Sequence, residues 1–272
     1  LLLNSYILGK LKIMSDPSLL LFTAVNSKYH QFVLPFIYFA AQFNHNLKFE
    51  IIFTDDIPIE IKNGVEYLKK HFPITDILLR KIDTNIIPQK LRFLETPITI
   101  SDYTYISDID ILICEPILNF HKDKLIDNCY HNVVRTYSGN QSLMSGLHFC
   151  KTKEWFTKTE KERLNFKKNN INLNDENMLY LITKNSKIYI DESLGKTTES
   201  FIKNRPIHGI HISLNRKPFE INAKMCNVIS ENFKYSFLQH IHSSSFIHLI
   251  NNFDINFKSI LDQLLKFCKL DK

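Results

Sequence analysis

The sequence predicts an α/β protein: a mixed, mostly parallel sheet flanked by helices and followed by a helical C-terminal tail. Two observations predict it. Apolar β-prone runs alternate with stretches of helical apolar spacing through the first half, the order expected of repeated β-α-β units. The chain also has 272 residues, 44% of them hydrophobic, with 21 Phe and 11 Tyr, enough for a substantial core.

Leu19–Val25 reads as a buried strand and Tyr29–Asn44 as a helix. Leu47–Thr54 alternates like a strand and ends at Asp55-Asp56. Ile59–His71 has helical spacing, and Ile74–Ile82 is strand-like. Pro88 opens a short helix through Glu95, because proline is tolerated in a first turn. The apolar run from Tyr103 to Ile113 carries Asp108 and Asp110. Leu118–Asn128 reads as a helix, and Val133–Thr136 and Leu143–Phe149 as strands around the turn Ser138-Gly139. Lys153–Lys168 is helix-prone. Asn174 caps a helix through Thr183, with acids in its first turn. Lys187–Asp191 and Ile207–Ile212 are short strands, and Phe253–Leu270 has helical spacing with lysines between its apolar residues.

Composition narrows the chemistry. With only 6 Gly there is no GxGxxG and no GxxxxGK[ST], so a bound nucleotide is held without a glycine-rich loop. The net charge of +6 suits an anionic ligand or membrane surface. The basic residues are scattered rather than striped, so nucleic acid is not an expected partner. Five cysteines (Cys114, Cys129, Cys150, Cys226, Cys268) form no CxxC pair and read as reduced thiols. The longest apolar stretch, Phe32–Phe43, is too short for a bilayer span of ~20 residues. Leu1-Leu2-Leu3 lacks the length of a secretion signal, and Met14 is a candidate initiator. The expected location is the cytoplasm, with peripheral contact to the inner face of a membrane.

Asp108 and Asp110 are the strongest site signal. Residues two apart on an extended chain point the same way, so both carboxylates reach one hard cation while Ile109 packs behind. Oxygen ligands suit Mg²⁺ or Mn²⁺, which complete their shells with substrate phosphates. A bland alternative is a capping turn. His208-Gly209-Ile210-His211 offers an imidazole, with Lys217 downstream as a point charge for phosphate; the bland alternative is a half-buried histidine in a turn. Gly146, inside a predicted strand, suggests close approach by a ligand, or a bulge. Asp175 and Glu176 open a helix, where simple capping competes with a catalytic role. His240, His242 and His248 lack the companions of a zinc site.

In this order these signals resemble the metal-dependent GT-A-type glycosyltransferases, most closely the family of glycogenin and the bacterial lipopolysaccharide galactosyl- and glucosyltransferases. The resemblance runs from Leu19 to Pro218. It implies a Rossmann-like GT-A catalytic domain over residues 15–220. Residues 221–272 would be an extension packed on the domain or used for membrane or oligomer contact, including a homodimer. Asp108 and Asp110 match the family's DxD, and Arg92 its donor-contacting arginine. Ser145-Gly146 matches part of its asparagine-serine-glycine strand, with Met144 in place of the asparagine. Asp175-Glu176-Asn177 falls on its aspartate-glutamine-aspartate helix start, with the first acid kept and the third lost. His211 with Lys217-Pro218 matches its metal-binding histidine and lysine-proline pair, with Leu214 in place of the intervening glycine.

The implied activity moves a hexose-type sugar from a nucleotide-diphosphate donor, a UDP-sugar, to a hydroxyl of a glycan or lipid-linked acceptor. Asp108, Asp110 and His211 would bind Mn²⁺ or Mg²⁺, with Lys217 and Arg92 on the phosphates and Thr23, Ala24 and Tyr29 at the nucleoside. Asp175 would touch the sugar or acceptor; Asp175 or Glu176 would be the base of an inverting enzyme. The resemblance favours retention. The alternatives are an inverting GT-A enzyme, a sugar-phosphate nucleotidyltransferase and a non-catalytic glycan- or nucleic-acid-binding module. Residues 24–28 lack the glycine that a nucleotidyltransferase loop needs.

Overall fold

A computed structural model describes residues 16–72, 76–137, 141–169, 173–212, 231–253, 256–258 and 260–261. Its centre is a six-stranded sheet in the order β3-β2-β1-β4-β9-β6. β1 (Leu19–Val25), β2 (Leu47–Phe53), β3 (Asp76–Lys81) and β4 (Tyr103–Ile106) run parallel; β9 (His148–Lys151) is antiparallel to β4, and β6 (Tyr130–His131) to β9.

Alternation along β1 divides the core in two. Leu19, Leu21 and Val25 face one apolar cluster, and Leu20, Phe22 and Ala24 the other. A strand covered on both faces must be apolar throughout, which is why Leu19–Val25 reads as an unbroken hydrophobic run. The first face is covered by α1 (Val33–Phe43) and α2 (Ile59–His71). The second is covered by α3 (Pro88–Leu94), α5 (Thr152–Asn169) and α6 (Asp175–Asn185), through Leu91, Trp155, Phe156, Met178 and Leu179. β2 places one acid among these apolar side chains. Glu50 is fully buried, accepts from the Ile98 and Thr99 amides at 2.9 Å and pairs with Arg80 at 2.8 Å.

Several elements differ from expectation. The predicted helix from Tyr29 begins as a 3-10 turn over Ser27–Phe32. The helix expected over Leu118–Asn128 stops at His121. Beyond it Asp127 and Asn128 adopt left-handed φ of 51° and 49°, and the Ile126 amide bonds to the Tyr130 carbonyl instead. Leu143–Phe149 is two strands. β8 (Gln141–Met144) pairs with β7 (Val134–Tyr137), while His148 begins β9. Ser138-Gly139 lies outside the described residues. Lys187–Asp191 forms no ladder, and Tyr189 is exposed.

The helices Glu231–Ile241 and Ser244–Phe253 escaped the sequence reading. They belong to the first apolar cluster through Phe237, Ile241, Phe246, Leu249 and Ile250. Phe246 is fully buried, 4.9 Å from the Tyr38 ring and 5.4 Å from Phe39. Phe246→Ala is therefore expected to cost roughly 3–5 kcal/mol, the range for deleting a buried phenylalanine, as measured by chemical denaturation. A loss under 1 kcal/mol would show that this segment is not part of the cooperative core. Phe257 and Ile260, in the tail where helical spacing is expected over Phe253–Leu270, are also buried in this cluster; residues after 261 lie outside the described ones.

Candidate functional site

The sheet order places β1 between β2 and β4, so the connection reverses direction at β1. In such sheets ligands bind beyond the carboxyl ends of the strands beside that reversal. Ala24 and Val25 end β1 there, and β4 ends at Ile106 just before Asp108.

The acids do not sit on an extended strand. β4 leaves the main sheet after Ile106, and Ile109-Asp110 form a turn. The chain then enters β5 (Ile111–Ile113), which pairs with β10 (Gly209–His211) in a separate antiparallel ribbon. Ile109 does pack behind, at 4% exposure. The ribbon register sets His211 opposite Ile111, and the Ile212 amide bonds to the Asp110 carbonyl at 2.7 Å. Gly209 is required for this approach, because a Cβ there would lie 1.8 Å from the Leu112 carbonyl oxygen.

Residues a hundred positions apart thus converge. Ligand atoms of Asp108, Asp110 and His211 all lie within 4.8 Å of one another, the one such cluster among the described residues. His211 Nε2 is 3.3 Å from Asp110 Oδ1. Burial alone would lower the His211 pKa, but the Asp110 and Asp108 carboxylates outweigh it and raise it. The cluster faces a cavity of about 150 Å³, lined also by Ala24, Tyr29, Gln89 and Arg92.

Arg92 is 2% exposed and holds both Asp108, through Nη1, and Asp175, through Nη2 at 3.0 Å. Desolvation would lower its pKa, but the two carboxylates raise it. The arginine expected to contact the donor thus also bonds two acids, which fixes Asp108 beside the first turn of α6. Against the carboxylates of Asp108, Asp110 and Asp175 stand Arg92 and, more distantly, Arg205; the acids outnumber the permanent cations, which favours a bound cation.

Glu176 pairs with Arg135 and accepts from the Gly146 amide at 3.3 Å. Gly146 lies between β8 and β9, not inside a strand. A Cβ there would stand 2.9 Å from Arg92 Nη2, so the close approach is made by this arginine. Asn174 caps α6, accepting from the Asn177 amide at 2.6 Å. Thr23 and Ser145 lie behind the cavity. The Thr23 hydroxyl donates to the Ser107 carbonyl at 2.8 Å, and Ser145 is 1% exposed, its amide bonded to the Val133 carbonyl. Lys217 and Leu214 lie outside the described residues. His240 packs on Phe43, and His248 on Tyr67.

Behind β10 runs a buried chain of imidazoles that the sequence did not announce. His208 Nδ1 bonds Glu115, His208 Nε2 lies 2.5 Å from His121 Nε2, and His121 Nδ1 lies 2.6 Å from His131 Nδ1. One proton per ring satisfies all three contacts. Glu115 accepts from His208 Nδ1, His208 Nε2 from His121, and His121 Nδ1 from His131. The chain ties β10, and so His211, to α4 (Leu118–His121) and β6.

Burial pulls His131 down to about 4 and His148 to about 3, and burial with His208 and His131 nearby holds His121 well below 6.5. Between pH 6.5 and 4 the unfolded chain therefore binds protons that the folded chain refuses, and stability falls with pH. Each such histidine contributes about 1.4 kcal/mol per pH unit. His211 acts in the opposite sense, since its raised pKa adds stability below pH 6.5 that is lost as pH rises. Urea unfolding is expected to give a stability lower by roughly 4 kcal/mol at pH 5.0 than at pH 7.5. Equal stability at the two values would mean that these rings are charged or hydrated in the fold.

No protein-family model matches the sequence, and no curated protein matches it. Solved structures do. The apo-form glycosyltransferase GlyE of Streptococcus pneumoniae TIGR4 aligns with a TM-score of 0.54 at 14% identity, over 84% of this chain and 64% of that one. The galactosyltransferase LgtC in complex with donor and acceptor sugar analogs aligns at 0.42 and 15% identity, over 60% of this chain and 69% of that one. An LgtC active-site mutant aligns at 0.48 and 12%, over 78% and 95%. This chain spans 64% of the apo GlyE structure's length. At such identity the likeness is one of fold, and the chain has the GT-A-type architecture that its motifs implied.

Proposed function

We propose that this chain transfers a hexose-type sugar from a nucleotide-diphosphate donor, UDP-linked, to a hydroxyl of a glycan or glycolipid, with retention at the anomeric carbon. One observation carries this reading: Asp108, Asp110 and His211 converge in a cavity beside the β1–β4 reversal. Two carboxylates and an imidazole with excess negative charge suit Mn²⁺, or Mg²⁺. When bound there, such an ion supplies neutralisation of the charge developing on a departing diphosphate, worth several kcal/mol.

The chain's own residues do the rest. Arg92 holds Asp108 in place, and Tyr29, at the cavity rim, offers a ring for the nucleobase. Lys217 remains a proposed phosphate contact. At about 150 Å³ the cavity is smaller than a whole nucleotide sugar; Ala24 and Tyr29, in its lining, would meet the nucleoside end of the donor. Asp175 and Glu176 are each paired with an arginine, Arg92 and Arg135. Neither is free to act as the base that inversion requires, which supports retention. They position the sugar instead.

Among the described residues no helix is long and apolar enough to cross a membrane. Contact with a lipid-linked acceptor therefore belongs to this proposal and rests on the net positive charge. The test is a screen of nucleotide sugars for hydrolysis and transfer with Mn²⁺ and with chelator. Metal-dependent turnover of a UDP-sugar, with the anomeric configuration of the product kept by NMR, is the expected result. Pyrophosphate release from UTP and a sugar phosphate would identify a nucleotidyltransferase instead. Absence of metal-dependent UDP binding would leave a non-catalytic binding module.

A further inference from the structure

The ribbon that carries His211 is short. β5 and β10 pair over three residues each, outside the six-stranded sheet, and a two-stranded ribbon is marginal by itself. Its register nonetheless decides the site, because a slip of one residue turns His211 to the opposite face. Gly209 opposes a slip by sterics alone, since a side chain in its place would strike the Leu112 carbonyl. Attraction into the observed register needs a further source.

His208 supplies one. It directly precedes β10, its carbonyl accepts from the Cys114 amide at 2.8 Å, and it is 1% exposed. Both of its ring nitrogens are engaged. Nδ1 meets Glu115, just beyond the end of β5, and Nε2 meets His121 on α4. A neutral ring that donates at one nitrogen and accepts at the other is satisfied only where both partners stand. The partners are themselves fixed. His121 is fully buried, bonds His131 of β6 and stacks 4.7 Å from the Phe149 ring of β9, so it is tied to the main sheet. Asn44, at the end of α1, accepts from the Ile117 amide at 2.9 Å, two residues beyond Glu115. Glu115, His208 and His121 are absent from the lining of the metal cavity, so they act on it only through the ribbon.

We propose that Glu115, His208 and His121 are positioning residues, whose hydrogen-bonded chain holds β10 in the register that sets His211 beside Asp110. Calling the cluster they position a metal centre rests on the sugar-transfer reading; the positioning itself does not.

Glu115 is the member to change, because its side chain is 35% exposed and its removal leaves no core cavity. Glu115→Ala removes the acceptor of His208 Nδ1, and Glu115→Gln replaces it with a carboxamide oxygen. Two quantities are measured on the full chain well below its melting temperature. One is Mn²⁺ binding by calorimetry, alone and with UDP. The other is hydrogen exchange of the Ile212 amide, whose bond to the Asp110 carbonyl reports the register. Glu115→Ala is expected to weaken Mn²⁺ binding about tenfold or more, the scale for residues that orient a metal ligand from outside, and to speed Ile212 exchange by a similar factor. Glu115→Gln is expected to restore both. A merely structural acid would lower the melting temperature and leave both quantities unmoved in the folded protein, so parental values in Glu115→Ala overturn the proposal. So does a Glu115→Gln protein as impaired as Glu115→Ala, since charge rather than the hydrogen bond would then be at work. Weaker Mn²⁺ binding with Ile212 exchange unchanged overturns it as well. A parent that binds no Mn²⁺, with Ile212 exchange still raised by Glu115→Ala and restored by Glu115→Gln, would overturn the metal reading and leave the positioning standing.

Discussion

Asp110→Asn is expected to lower sugar transfer by roughly 10³-fold, the scale on which removing one preorganised electrostatic contact at developing charge is felt. The substitution keeps size and hydrogen-bonding capacity and removes one of the two carboxylates in the cluster. Stability should barely move, because two effects offset. The 3.3 Å contact with His211 is weakened, while the repulsion between Asp110 and Asp108 is relieved. The His211 pKa, raised mainly by Asp110 against burial, should fall. Three measurements on one variant therefore separate two roles. A metal ligand predicts lost turnover and lost Mn²⁺-dependent UDP binding with an unchanged melting temperature. A capping acid predicts a lower melting temperature with metal dependence intact. Turnover and Mn²⁺–UDP binding like those of the parent would sink the metal role.

The half of the fold that forms local β-α-β units was legible from sequence. Leu19–Val25 and Ile59–His71 coincide with their elements because a strand covered on both faces and an amphipathic helix each leave a contiguous signature. What the sequence hid depends on distant partners. Nothing in the run from Tyr103 to Ile113 announces that Ile111–Ile113 will leave the main sheet to pair with Gly209–His211. An unbroken strand was the simplest reading, and the conclusion that both acids face one point survived only because the turn also brings them together. The sequence offers Arg92 as a phosphate contact but cannot show its burial or its acidic partners, because an exposed and a buried arginine are spelled alike. Only the placement of Asp175, 83 residues on, reveals that its charge is already met. The imidazole chain through His208, His121 and His131 has no spacing rule behind it, since its members come from three separate segments of the chain.

Arg92→Met is the substitution that tests how the site is held. Arg92 is the hub on which α3, the segment carrying Asp108 and the first turn of α6 meet, and it is nearly as buried as any apolar side chain in the second cluster. Methionine preserves much of the volume and removes the charge. Two carboxylates then remain together with Asp110 and without the guanidinium that holds them; both are about a quarter exposed, so the loss falls toward the lower end of the roughly 3–5 kcal/mol for breaking a buried ion pair. Denaturant unfolding is expected to show a loss of that order, with Mn²⁺ restoring part of it, because a cation can take over some of the lost positive charge. Arg92→Lys should recover little, since one ammonium cannot repeat the forked contact to Asp108 and Asp175. If Arg92 instead served the donor phosphates directly, the outcome would be the reverse: near-parental stability, weaker UDP binding and no stabilisation by metal. A double-mutant cycle with Asp175→Asn sharpens the distinction. A positioning role requires the pair to couple by about 1–3 kcal/mol in folding stability, whereas independent ligand contacts would add.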